Sequence, residues 1–389
     1  MAYRLISADD HLDLSNLPRD LWTSRAPKAF ADIAPRVVET DKGPTWVCDG
    51  ENWGTWGPGI SPITGLIVRP GQGRRRRDAE SEDVPMPRLY EGGEIRPTSP
   101  ELRLADMDRD GVHSSVMYGP ITALSVENPE LRQWTYQAYN DWLAEEFCAY
   151  DPNRLIGSAQ MPLDPAGAAA ELERVAKIGL KTVNILAARV STPLYDREWD
   201  RVWDIAEETG IPIGCHITAD IVKSQTAPVK PTAASALTRI SGALQMIDPF
   251  GGMIAHGVME RHPKLKMVMA ETGLSWVPYI IQRMDYRWAQ VQNEKAHWEA
   301  NGGIPISMPP SEYWRRQVWV TFQEDNIGLE LIDYIGEDQV MWGSDYPHPD
   351  STWPSSQVII AEDMANVDEK VKKKILHDNA KKLYNLDID

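Results

Sequence analysis

Short apolar runs recur along most of this chain. They alternate with longer stretches in which apolar residues return every three or four positions. The runs 3–9, 114–118, 155–161, 182–186, 211–216, 266–271, 318–322 and 340–345 are short and bounded by turn residues, so they predict buried strands. The stretches between them predict helices over 102–109, 129–150, 164–179, 196–210, 276–295, 327–335, 355–365 and 369–384. One more helix is expected over 233–261, in two pieces broken near Pro249 and Gly251-Gly252. Local signals agree with this reading. Asp164-Pro165 sets an N-cap before a proline at the first helical position, and Gly111 and Gly179 stop the helices that precede them.

Eight strands, nearly all followed by helices, predict a parallel sheet with right-handed crossovers. Eight such units suggest closure into a (β/α)8 TIM barrel, with an open doubly wound sheet as the alternative. That alternative lacks its usual support, because no G-x-G-x-x-G follows the first strand and no G-x-x-x-x-G-K-[ST] occurs. The chain reads as one barrel domain over 1–389, with an insert at 14–100 between the first two strands. Pro18, Pro27, Pro35, Pro44, Pro58, Pro62 and Pro70 interrupt the repeat there. Thr45–Gly50 and Trp53–Trp56 predict a hairpin across Gly50-Glu51-Asn52. Arg74–Arg77 reads as a solvated loop or subunit contact. A structureless loop of this length is disfavoured, so the insert is expected to fold as a cap over the barrel mouth or as a dimer contact.

A formal charge of −17 argues against nucleic acid and anionic membrane as partners. Cys48, Cys148 and Cys215 are scattered and form neither a disulfide framework nor a C-x-x-C knuckle. The N-terminal residues show no signal-peptide core, and no apolar run is long enough to span a bilayer, so a cytoplasmic protein is expected. Fifteen tryptophans against four phenylalanines suit core and interface packing, with Trp46, Trp53, Trp56 and Trp353 as candidates to wall an apolar ligand. A homodimer is the expectation from symmetry.

Candidate chemistry gathers where the predicted strands end. The first strand runs into Asp9-Asp10-His11, the fifth ends at His216, the sixth at Glu271, and the eighth runs through Trp342-Gly343-Ser344-Asp345-Tyr346-Pro347-His348. Side chains two apart on a strand share a face, so Asp9 and His11 point together while Asp10 turns away. In a closed barrel these ends converge at the face where chemistry occurs. Mixed carboxylate and imidazole ligands suit a divalent ion such as zinc, manganese or iron; one ion is expected, and two are possible if Glu271 bridges. Such an ion lowers the pKa of a bound water and polarises a carbonyl oxygen. Asp345 would then take a proton from that water, Glu271 would act as base or bridge, and His348 as general acid, substrate contact or outer ligand. His113, His256 and His262 fall in helical or turn contexts and read as structural.

These motifs together resemble the amidohydrolase superfamily, and within it the amidohydrolase-related branch that contains aminocarboxymuconate-semialdehyde decarboxylase. Asp106–Val112, Gly257–Lys266 and Asn379–Tyr384 carry the same resemblance along the chain. It implies a catalytic divalent ion held by Asp9, His11, His216 and Asp345. The superfamily's carbamylated strand-four lysine has no counterpart, because Lys181 begins that strand instead of ending it. The decarboxylase members carry a histidine on strand six, where this chain reads Val268-Met269-Ala270-Glu271. Hydrolysis of an amide, lactone or ester-like bond in a small cyclic or aromatic substrate is therefore the first expectation. Nonoxidative decarboxylation of an aromatic acid is the alternative, and a nonheme (di-)iron oxygenase a further one. A binding module with a vestigial site is the reading from outside enzymology.

Overall fold

The structure, a computed structural model, describes residues 3–41, 43–57, 70–71, 90–91, 94–120, 124, 126–218, 242–300 and 306–388. The strands in chain order are β1 (Leu5–His11), β2 (Arg36–Thr40), β3 (Gly43–Cys48), β4 (Glu51–Thr55), β5 (Tyr90–Glu91), β6 (Glu94–Ile95), β7 (Val112–Tyr118), β8 (Leu155–Gln160), β9 (Thr182–Asn184), β10 (Ile213–His216), β11 (Met267–Ala270), β12 (Val318–Phe322) and β13 (Val340–Trp342). β1 and β7 to β13 form one eight-stranded sheet in sequential order, and each strand pairs with the next in parallel. The two edges meet just past β13: Asp345 N donates to Asp9 O and His11 N to Tyr346 O, each at 2.8 Å. This is the (β/α)8 barrel that the alternation of apolar runs predicts. Its last seam is made by the backbone of the candidate site residues themselves.

Two apolar layers hold the barrel. The larger one joins the outward faces of the strands to helix stripes such as Leu172 and Val175 on Pro165–Ile178 and Val202 and Ile205 on Asp200–Thr209. The smaller one fills the interior with Ile6, Ala8, Val116, Tyr118, Ile156, Val268, Ala270 and Met341. The C-terminal residues Leu383, Tyr384, Leu386 and Ile388 join that interior cluster and plug the end opposite the site. Helix stops follow the sequence signals: Gly111, Gly179 and Gly210 cap helices with φ of 74°, 87° and 72°, where a side chain would be strained.

Some elements differ from expectation. The break in 242–261 falls at His256-Gly257, between Ile247–Ala255 and Val258–Arg261; residues 233–241 lie outside the described ones. Pro249 is the third residue of its helix, where no amide is needed, and Gly257 takes φ 71° and ends the run. Lys295–Ala300 and Pro310–Gln317 are additional helices, the second with proline at its first position. In the insert, β2, β3 and β4 form an antiparallel sheet, one strand more than predicted. The β3–β4 turn is the two-residue Asp49-Gly50, both at positive φ (48° and 83°), as a type I′ turn requires. Arg74–Arg77 lies outside the described residues.

The tryptophans expected as candidate ligand walls all make contacts within the protein. Trp46 and Trp353 are buried, and their indole N–H groups donate to Leu14 O and Asp106 O; half-buried Trp56 donates to Leu17 O. Trp53 packs edge-on against Trp22. The three cysteines are buried and unpaired. Among the described residues no helix is long and apolar enough to cross a membrane.

Candidate metal centre

Aiming Asp9 and His11 into the barrel requires a break in simple strand alternation. The pairing of β1 with β7 shifts register between Ser7 and Asp10. Ile6 and Ala8 pack in the interior, and the irregularity brings Asp9 and His11 to the same interior. Asp10 points outward, where it accepts from Ser7 Oγ (2.8 Å) and Ser344 Oγ (2.6 Å).

The six residues singled out in the sequence come together. His216 Nε2 lies 3.5 Å from Asp9 Oδ1 and 3.2 Å from Glu271 Oε2. His11 Nε2 lies 3.1 Å from Asp345 Oδ1, 3.8 Å from Asp9 Oδ1 and 3.9 Å from Glu271 Oε2. His348 stacks on His11 with ring centroids 3.9 Å apart, and its Nδ1 bonds Asp345 Oδ1 at 2.8 Å. Asp9, His11, His216 and Asp345 are fully buried, whereas the Glu271 side chain keeps 18% exposure. Glu271 and Asp345 both hold positive φ, 55° and 62°. Such conformations cost of order 1–3 kcal/mol each and persist where surrounding structure enforces them.

Three further residues support this group, and the sequence reading did not single them out. Thr321, at the end of β12, accepts from Glu271 N (2.7 Å) and donates to Asp9 Oδ2 (2.5 Å), which leaves Asp9 Oδ1 free. Its signal was a polar residue at the carboxyl end of a barrel strand. Asn184, at the end of β9, accepts from His216 N at 3.2 Å. Asp13 accepts from His348 Nε2 at 3.0 Å, so His348 is clamped between two carboxylates. Gly343 is fixed by proximity, because a Cβ there would lie 2.5 Å from Asp9 Cβ.

The electrostatics follow from burial and from these contacts. Burial, reinforced by the Asp345 charge, pushes the Glu271 carboxyl up to about 7. Burial likewise lifts Asp345 to about 7, against the pull of His348. Burial opposes charge on His348, but Asp345 and Asp13 outweigh it and hold the imidazole well above its usual range.

The donor chemistry fits a divalent ion. Asp9 Oδ1, His11 Nε2 and His216 Nε2 are buried without a hydrogen-bond partner, a costly state unless a cation satisfies them. His216 Nδ1 bonds Ile217 O at 2.5 Å, which fixes the tautomer with the Nε2 lone pair facing the cluster. Donor atoms of Asp9, His11 and His216, and those of His11, Glu271, Asp345 and His348, lie within 4.8 Å of one another in each group. Lys181 bonds Asn385 O at the far end of β9 and takes no part. Replacing Thr321 by Val should free both Asp9 and the Glu271 amide, and so lower metal affinity roughly 10–100-fold. Equilibrium dialysis against manganese checks this; unchanged affinity would remove Thr321 from the account.

A parallel barrel with carboxylates and imidazoles converging at the carboxyl ends of its strands defines an enzyme built around a divalent-metal site. A family profile described as Amidohydrolase matches residues 62–386, and the chain belongs to that family. Gamma-resorcylate decarboxylase from Rhodococcus jostii (strain RHA1) is 29% identical over 268 residues, 64% of this chain and 75% of that protein. The crystal structure of an amidohydrolase from Mycobacterium avium subsp. paratuberculosis K-10 superposes with a TM-score of 0.76 at 25% identity, covering 99% of this chain and 100% of the other. The structure of 5-carboxyvanillate decarboxylase from Novosphingobium aromaticivorans DSM 12444, which holds manganese, shares the fold at a TM-score of 0.57 and 22% identity, over 73% of this chain and 79% of that one.

These relatives correct the functional expectation. Hydrolysis is the first expectation from the sequence, but relatives of this chain include gamma-resorcylate decarboxylase and 2-amino-3-carboxymuconate-6-semialdehyde decarboxylase. Carboxylate and imidazole ligands at strand ends serve equally to activate a water or to bind a substrate carboxylate, so the ligand set does not separate the two reactions.

Proposed function

We propose that this protein is a metal-dependent, nonoxidative decarboxylase of a hydroxylated aromatic acid. The observation that carries the reading is the placing of Asp345 beside the ion-binding donors, with one oxygen engaged and the other free. His348 holds Oδ1, whereas Oδ2 is buried and unpartnered. Similarity to gamma-resorcylate decarboxylase supplies the substrate class.

In this reading Asp9, His11, His216 and Glu271 would hold the ion with Asp345 beside it, and manganese suits this mix of carboxylates and imidazoles. A bound ion would supply positive charge against the substrate carboxylate. Asp345 carries a proton on Oδ2 and delivers it to the ring carbon that bears the carboxylate. The C–H bond forms, the C–C bond breaks, and carbon dioxide leaves. His348, backed by Asp13, orients Asp345 and restores its proton. Tyr118, whose ring centroid lies 5.1 Å from that of His216, closes the floor beneath the donors and excludes water. The Gly71 amide donates to His348 O at 3.1 Å, which supports the insert as a cap over this mouth.

The test is a panel of hydroxybenzoates, including 2,6-dihydroxybenzoate, offered to the manganese-loaded protein with carbon dioxide as the readout. Carbon dioxide release that stops on chelation and returns with manganese is expected. A protein that binds manganese yet releases none from any member would overturn the reading.

A further inference from the structure

His262 lies outside the barrel, between helices Asp200–Thr209 and Val258–Arg261, and the sequence reading took it as structural. Its surroundings are unusual for that role. The residue is only 5% exposed, and neither ring nitrogen has a hydrogen-bond partner. Nδ1 points at two carboxylates from the adjacent helix, 3.4 Å from Asp204 Oδ1 and 3.4 Å from Glu207 Oε2. Asp204 and Glu207 are three apart on that helix and so share a face.

We propose that Asp204, Glu207 and His262 form a second metal site, for a zinc-class divalent cation, remote from the barrel mouth. Three observations support it. The donor atoms of the three residues lie within 4.8 Å of one another. Two ligands about 2.0–2.1 Å from a tetrahedral zinc stand about 3.4 Å apart, which is the spacing of Nδ1 from each carboxylate oxygen. The Asp200 carboxylate, 3.6 Å from Nε2, favours the proton on that nitrogen and leaves the Nδ1 lone pair facing Asp204 and Glu207.

The other contacts leave the site open. Glu207 uses Oε1 to accept from Lys264 N at 2.6 Å, and its Oε2 remains for the ion. Asp200 is occupied by Arg261 and Arg197, each at 2.8 Å, so it orients the ring and is not a ligand. Asp204 has a half-exposed side chain, which provides an entry path and room for water as a fourth ligand. One imidazole and only three protein donors favour zinc over magnesium or calcium, which take more oxygen ligands. An ion here would pin the helix after β9 to the segment leading into β11, and so brace the wall behind His216.

The test is zinc content of the full chain after equilibrium dialysis, by plasma mass spectrometry, for the unaltered protein and for Asp204→Ala. Asp204 is half-exposed, so the variant should fold, which far-ultraviolet circular dichroism verifies. The expected result is one zinc fewer per chain in Asp204→Ala, together with loss of a zinc-dependent rise in melting temperature seen in the unaltered protein. Equal zinc content in the two would overturn the proposal and leave His262 as an imidazole ringed by acids. A Glu207→Gln variant, which keeps the acceptor for Lys264 N, should lose the same ion; if it retains full zinc, the site as drawn is wrong.

Discussion

Asp345→Asn is expected to leave the barrel folded and the ion bound while turnover falls by about 10²–10⁴-fold, the usual contribution of a positioned acid. The amide fills the same space and still offers His348 an oxygen in place of Oδ1 (2.8 Å in the native pair). What it cannot do is carry the proton on Oδ2 to the ring carbon. A fall in kcat with manganese content and melting temperature unchanged is the signature. If manganese is lost as well, Asp345 acts chiefly as a ligand. Turnover within a few-fold of the unaltered protein would remove Asp345 from the chemistry altogether.

The largest stability effect is expected from Arg103, which lies behind the site and bonds none of the metal-donor atoms. Its guanidinium is fully buried and donates to Asp10 Oδ2 (3.1 Å), His11 O (3.1 Å) and Tyr346 O (3.4 Å). It also lies over the Tyr346 ring at 4.6 Å. Asp10 is equally buried and gathers Ser7, Ser115, Ser344 and the Tyr346 amide around its two oxygens. Arg103→Met strands that carboxylate without its countercharge and should cost about 3–5 kcal/mol of unfolding free energy. Adding Asp10→Asn should return part of the loss, because the second change removes the stranded charge. Denaturant unfolding of the two single variants and the double variant measures this. A loss below about 1 kcal/mol for Arg103→Met would show that the pair is not buried as described. Because Arg103 binds the carbonyls of His11 and Tyr346, the same variant should also loosen the seam that sets His11 against Asp345.

Much of this arrangement is legible in the sequence, and specific residues show why. Val318–Phe322 is a strand with the bounds its apolar run predicts, and Gly111 and Gly179 end their helices where expected. Asp9, His11, His216, Glu271, Asp345 and His348 were each visible as an ionisable residue at or just past a strand end. Their convergence follows once the barrel closes. Less legible was anything that depends on contacts distant in the chain. Thr321 sits in an apolar strand, and only the closed barrel sets it between the Glu271 amide and Asp9. Asp13 looks like an ordinary loop acid until His348 is brought to it from the other end of the chain. Pro249 and Gly251-Gly252 carry breaker chemistry, but a proline in the first turn breaks nothing, and Gly252 sits where a side chain would meet the Tyr195 ring. The reaction was least legible, since one ligand set serves both hydrolysis and decarboxylation.

The central claim is that the Asp9, His11, His216, Glu271 and Asp345 site exchanges a ring carboxylate for a solvent-derived proton. The most direct test is turnover of 2,6-dihydroxybenzoate by the manganese-loaded protein in deuterated water, with mass spectrometry of product and headspace. The account predicts one deuterium at the vacated ring carbon and one carbon dioxide per product molecule, both abolished in His216→Ala. Product formed without carbon dioxide, or carbon dioxide released at the same rate after His216→Ala, would contradict it.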